Sequence, residues 1–160
     1  MINKGWALLV WLAVACGSCT PVGIDNNKLP GINISISEMN IAFRIDDPPA
    51  VKNSHKNDEI LTLQAKNLSD IPIIFPGDLG LKIFRKQDKD WIRVDNLMHS
   101  PVGEITLATN NDFPPGVVVM VIPYIPTIQT PETIRIVLVG HKSDSPSDLV
   151  GAYIDILLSP

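Results

Sequence analysis

The side chains in this 160-residue chain that could do chemistry are few and far apart: His55, His99, His141, the methionines Met98 and Met120, and the cysteines Cys16 and Cys19. Histidines that hold a metal usually recur at short ligand spacings, such as H-x-x-x-H. None of the three has such a partner, and each lies among turn-forming residues, which predicts exposed loop histidines. Met98-His99, Met120 and His141 together are ligand types that suit Cu(I), since thioethers and imidazoles are soft donors. Met120, however, falls in an apolar run that reads as core. Asp46-Asp47 and the pair Asp144 and Asp148 could hold calcium weakly, but a calcium loop gathers more oxygen ligands at closer spacing. No G-x-S-x-G elbow and no phosphate-cradling glycine loop occurs. The sequence therefore predicts no catalytic residue, no metal site and no enzyme activity. Asn33-Ile34-Ser35 and Asn67-Leu68-Ser69 match the glycosylation pattern, and the second is better explained as turn chemistry.

The cysteines point elsewhere. Lys4 precedes an uncharged apolar run at 6–15, WALLVWLAVA, which ends at Cys16. That run is about half of what a bilayer-spanning helix needs, and it has the size of a signal-peptide h-region. Leu12-Ala13-Val14-Ala15-Cys16 resembles the lipobox of bacterial lipoproteins, with Ala13 where leucine is commoner. The resemblance implies cleavage before Cys16 and diacylation of its sulfur, so that Cys16 becomes a lipidated N-terminus. Cys19 follows Cys16-Gly17-Ser18 and fits the box less well. Each buried methylene contributes about 0.8 kcal/mol; one acyl chain holds marginally and two or three hold firmly. The membrane would thus be a partner through the covalent lipid on Cys16, with no other cofactor. Gly17 is not the aspartate that marks inner-membrane retention, which favours the outer membrane where a cell has one. With Cys16 a thioether and no cysteine after Cys19, the domain is expected to have no internal disulfide, despite an export route that permits one.

The elements that follow are short. Hydrophobic residues make up 45% of the chain and charged residues 19%, enough for a packed core. The 14 prolines fall mostly between apolar runs, which suits strands better than helices. No basic cluster long enough to track a phosphate backbone is evident, so nucleic-acid binding is not expected. Residues 1–15 read as the signal peptide, 16–30 as a lipidated, flexible tether, and 31–160 as one domain. Leu61, Leu63 and Ala65 alternate with Thr62, Gln64 and Lys66, the period of a half-buried strand. Residues 67–70 supply a turn, and Ile71, Ile73 and Phe75 join the predicted core. In the first strand region the apolar positions change from even to odd between Ser37 and Met39, which predicts a bulge there or a strand that divides between two sheets. Loops are expected at 46–58, 95–103 and 141–148, a strand over 79–85 in a hairpin with 91–94, and a doubly covered strand over 117–122.

Eight or nine short strands at this spacing suggest an all-β sandwich. The order of strand, Asn67-Leu68-Ser69-Asp70 turn and strand ending in Phe75 resembles Ig-like or fibronectin-like modules, as does Pro115-Gly116 before an apolar strand. The resemblance lacks their cysteine pair, and Trp91 falls late. It implies an Ig-like antiparallel β-sandwich of about eight strands. With a lipid anchor, a rigid β scaffold and no site chemistry, the expectation is a module that binds an envelope protein or a glycan, by strand addition or through the loops at 46–58 and 95–103. Two alternatives stand behind this non-catalytic binding module. One is a protease-inhibitor-like sandwich, with Pro48-Pro49 stiffening an exposed loop. The less favoured one is a copper-binding periplasmic carrier.

Overall fold

The computed structural model describes residues 29–30, 41–45, 55–98, 103–109 and 117–160. Strands dominate them, laid out in two sheets. One sheet is built from β1 (Ile41–Ile45), β3 (Leu61–Asn67) and β8 (Val117–Val121), antiparallel in the order β1-β3-β8. The other contains β2 (His55–Lys56), β4 (Ile73–Phe75), β5 (Lys82–Gln87), β6 (Asp90–Val94), β7 (Ile105–Leu107), β9 (Glu132–Lys142) and β10 (Ser145–Ser159). β9 is the spine of this second sheet. β10 runs antiparallel along one of its edges. The opposite edge is shared end to end: β5 lies against Ile134–Val137 and β4 against His141 and Lys142. Outside them, β6 continues from β5 and β7 from β4. Two rows of interrupted strand thus lie beyond β9, and the sheets together have eight strand rows, an all-β sandwich.

The alternation of β3 decides what lies between the sheets. Leu61, Leu63 and Ala65 are buried, while Thr62, Gln64 and Lys66 are half-buried on the other face. The buried three pack in one cluster with Phe75, Ile134, Ile136, Leu138 and Ile156 of the second sheet. Burying each large side chain of this kind contributes about 1.5–3 kcal/mol. Of the predicted core only Ile71 is half-buried. It lies in the crossing from β3 to β4, which carries the chain from one sheet to the other. As expected from Pro72, β4 starts at Ile73.

The first two strands are divided between the two sheets. β1 pairs with β3 in one sheet, and β2 pairs parallel with the end of β10 in the other. The changeover falls between residues 45 and 55; the one read at Ser37-Glu38 lies outside the described residues. Leu29, near the end of the expected tether, is buried on the outer face of the second sheet with Phe84 and Val137. It sits where Gly151 has no side chain: a β-carbon there would come 2.7 Å from Leu29 Cδ1. The folded part thus takes hold of the chain two residues before Gly31.

Three expectations are corrected. The apolar run at 117–122 is not covered on both sides. Among the described residues β8 is paired only with β3, and Met120, read as core, is 53% exposed. An unbroken run of valine satisfies strand propensity without saying whether one face or two are buried. The segment 141–148 is not a loop, because β9 extends through Lys142 and β10 begins at Ser145 with an irregularity before Leu149. Cross-strand pairing outweighs the turn preference of its Ser and Asp residues there. The strand predicted over 79–85 starts only at Lys82, because Asp78, Leu79 and Gly80 turn left-handed with φ of 59°, 56° and 58°.

Candidate functional site

The left-handed turn opens a site. β4 and β5 lie in one line along β9, yet residues 76–81 stand between them opposite only 138–140. The surplus chain must leave the sheet plane. A 2.9 Å hydrogen bond from the Leu81 amide to the Asp78 carbonyl closes the detour, and Gly80 passes over Val139 so closely that only glycine fits. In the adjacent row β6 ends at Val94 and β7 begins at Ile105, a matching interruption. Two gaps side by side leave a cleft of about 520 Å³.

Leu81 and Val94, half-buried against the core, and the buried Ile83 are among its lining residues. One wall is the segment Asp95 to Met98, which Asn96 fixes. The Asn96 Oδ1 accepts from the amides of Met98 (3.2 Å) and Ile122 (3.0 Å), and its Nδ2 donates to the Met98 carbonyl (2.7 Å). The Leu97 amide donates to the Ile122 carbonyl and the Tyr124 amide to the Asp95 carbonyl. These bonds tie the wall to the chain leaving β8 and leave the side chains of Leu97 and Tyr124 exposed. Lys82, Arg93, Asp78 and Asp95 give the cleft its charges.

The outer face of the same sheet carries a stacked array. Arg135, only 5% exposed, lies between the rings of Trp91 (4.4 Å) and Tyr153 (3.9 Å). Its Nε and Nη2 donate to Asp155 Oδ1 and Oδ2, both at 2.7 Å. Arg135 and Asp155 sit directly opposite on β9 and β10, so register alone makes the forked pair. Lys86 Nζ lies 6.0 Å from the Trp91 ring and extends the stack. Removing Asp155 alone would strand a buried guanidinium. Asp155→Ala should therefore cost about 2 kcal/mol, less than a fully buried pair, because the carboxylate is 39% exposed. Arg135→Met with Asp155→Leu should lie within about 1 kcal/mol of the parent. Urea midpoints of the two variants test this, and a double variant as unstable as Asp155→Ala would contradict it.

The residues singled out in the sequence are scattered. Cys16, Cys19, Asn33, Asp46, Asp47, Pro48, Pro49 and His99 lie outside the described residues. His55 is not an exposed loop residue: it is buried in β2 beside the end of β10, with Nδ1 3.5 Å from Glu59 Oε2. Nor is His141 in a loop. It is half-buried in β9, its Nδ1 3.0 Å from the Lys142 carbonyl oxygen. A turn-rich neighbourhood in sequence could not show that both are placed by strand pairing. Met98 lines the cleft, while Met120 faces out from the other sheet, so the copper-type ligand set does not converge. Asp148 pairs with Lys142 at 3.4 Å. Among the described residues no three His, Cys, Asp or Glu gather. Asn67 is buried and fully hydrogen-bonded, which supports its reading as turn chemistry.

The sequence predicts the β5–β6 hairpin but not the charge it collects. Lys82, Arg85, Lys86, Lys89 and Arg93 are five of the chain's 13 Lys and Arg residues, against Asp88 and Asp90 in the same stretch. The signal was present in the spacing, but only the strand register shows which of these cations share a face. No family model, no curated protein and no solved structure matches the chain.

Proposed function

We propose that the protein is a lipid-anchored, extracytoplasmic binding module, without catalytic activity, that holds an envelope protein or glycan. The observation that carries the binding reading is the cleft. Its wall is fixed by backbone and Asn96 hydrogen bonds while Leu97 and Tyr124 stay exposed beside charged groups. A rigid scaffold that displays apolar and aromatic anchors loses little side-chain and loop freedom on binding. The lipobox supports the location: Cys16 would carry the lipid, in the outer membrane where the cell has one.

Cys16→Ser tests the anchor. Radiolabelled palmitate should disappear from the protein. Undiminished label on the variant would overturn the lipoprotein reading. The cleft is tested separately by Asn96→Ala, which unties its wall. Amide exchange at 95–98 should rise about tenfold or more, while exchange at the centre of β9 changes little, as expected for local opening. Equal changes in both places would show that Asn96 supports the whole fold and not the wall.

A further inference from the structure

We infer that the outer edge of β6 joins a second copy of this chain, strand against strand, in an antiparallel pairing centred on Ile92. The inference stands apart from what the module binds. Among the described residues β6 pairs only with β5. A two-residue turn, Asp88-Lys89, closes the hairpin and sets Gln87 directly opposite Asp90. A pair that close to the turn exchanges its own backbone hydrogen bonds, and the ladder alternates from there. Asp90, Ile92 and Val94 therefore use their amides and carbonyls on β5. Those of Trp91 and Arg93 point the other way, and among the described residues no strand meets them.

The edge is apolar at its centre and neutral along its length. Ile92 is 46% exposed. Around it, Lys89 and Arg93 are balanced by Asp90 and Asp95. The chain as a whole is acidic, with a net charge of -4, so two copies repel over most of their surface. A balanced edge is where they can approach. Proteins commonly blunt a free edge with lysine, proline or a bulge. β6 contains neither lysine nor proline, and its register with β5 is unbroken.

Charge and face select the register. A two-fold axis normal to a continuous sheet sets each residue opposite one on its own face, so the axis passes through a residue. Centring on Trp91 would set Lys89 against Arg93. Centring on Arg93 would set the two arginines against each other. Like charges directly opposite are destabilising. Centring on Ile92 sets Ile92 against itself and Trp91 against Arg93 of the second copy, twice by symmetry. The outward amides and carbonyls of Trp91 and Arg93 then satisfy one another. Within one copy Lys86 is opposite Trp91, and Phe84 is opposite Arg93. Across the joined sheets the row therefore reads Lys86, Trp91, then Arg93 and Phe84 of the second copy. Cations and aromatic rings alternate along it, an arrangement that attracts. A five-residue edge makes a small contact of the transient class, which a covalent trap can read.

The test is a disulfide trap on the purified full chain in mild detergent. Cys16→Ser and Cys19→Ser first remove both native thiols, so the result does not depend on what Cys16 carries. Ile92→Cys then places two cysteines opposite each other at a Cα separation of about 4.5 Å, within disulfide reach. Mild oxidation should yield a covalent dimer, about tenfold or more above that of Leu149→Cys, a comparably exposed site on β10 (48%). Arg93→Cys should crosslink poorly, because its counterpart is displaced along the strand by about 7 Å. Adding Arg93→Pro to Ile92→Cys removes an outward amide, a change that edge strands tolerate. The dimer yield should fall about tenfold while the urea midpoint moves little. If the proline unfolds the chain, Arg93→Glu takes its place and should lower the yield in the same direction. Equal yields from Ile92→Cys and Leu149→Cys overturn the proposal. So does an Arg93→Cys yield that matches Ile92→Cys, or a yield unmoved by the Arg93 change in a folded chain.

Discussion

Gly80→Ala should lower stability by about 3–5 kcal/mol, combining left-handed backbone strain with forced overpacking. Gly80 has φ +58°, and a β-carbon on it would come 2.1 Å from the Val139 carbonyl oxygen and 3.4 Å from Pro76 Cγ. The obstacle is backbone in the spine of the larger sheet, not the end of a flexible side chain. Relief requires moving either β9 or the whole 76–81 detour. Leu79 and Asp78 already occupy the same left-handed region at about 1–2 kcal/mol each, so the turn has little slack. Gly103→Ala is the control: its β-carbon would meet nothing within 4 Å, and the change should stay within about 0.5 kcal/mol. Urea denaturation of both variants, with amide exchange at 76–81 and 95–98, gives the comparison. Equal costs at the two glycines would refute the account of how the cleft is held open.

This turn also shows where sequence reading stops. Leu79-Gly80-Leu81 alternates as a strand does, and nothing local distinguishes it from the true strand at 82–87. The distinction comes from Val139, which lies some sixty positions away and leaves room for backbone alone. By contrast β3 is legible, because Leu61, Leu63 and Ala65 alternate with polar residues and fix its buried face. The cleft needed more than either strand. It exists because two neighbouring rows are interrupted at the same level, one between β4 and β5 and one between β6 and β7; the sequence reads most of the first as strand and the second as a loop. Asp95 to Met98, part of a loop the sequence marked for partner contact, does line the cleft. The hairpin cations were visible as letters, but their common face depends on the pairing of Phe84 with Arg93 and of Lys86 with Trp91.

Asn67→Ala is expected to cost about 2–3 kcal/mol and Asn67→Asp about 3–5 kcal/mol, the larger figure reflecting an unpaired buried charge. Asn67 ends β3 and is 1% exposed. Its Nδ2 donates to the carbonyls of Ile71 (2.8 Å) and Leu107 (3.4 Å), and its Oδ1 accepts from the Ser69 amide (2.9 Å) and hydroxyl (2.7 Å). One side chain therefore shapes the crossing between sheets and joins β3 to β7 of the opposite layer. Alanine leaves the Leu107 carbonyl and the Ser69 amide to find other partners, while the Ile71 carbonyl keeps the Ser69 hydroxyl at 2.8 Å. Aspartate keeps the acceptor but sets a carboxylate oxygen against two carbonyl oxygens. That environment favours the neutral acid, which could donate to Ile71, so the introduced group's folded pKa must rise above its unfolded value of about 3.9. The destabilisation is then fully present above the folded pKa and shrinks as pH falls toward the unfolded one. Compared with Asn67→Ala, the Asn67→Asp deficit should narrow between neutral pH and about pH 4. Urea midpoints of both variants across that range decide the matter. A deficit that stays constant with pH would mean that the amide donors of Asn67 do not hold the crossing, and that the turn draws its stability from Ser69 alone.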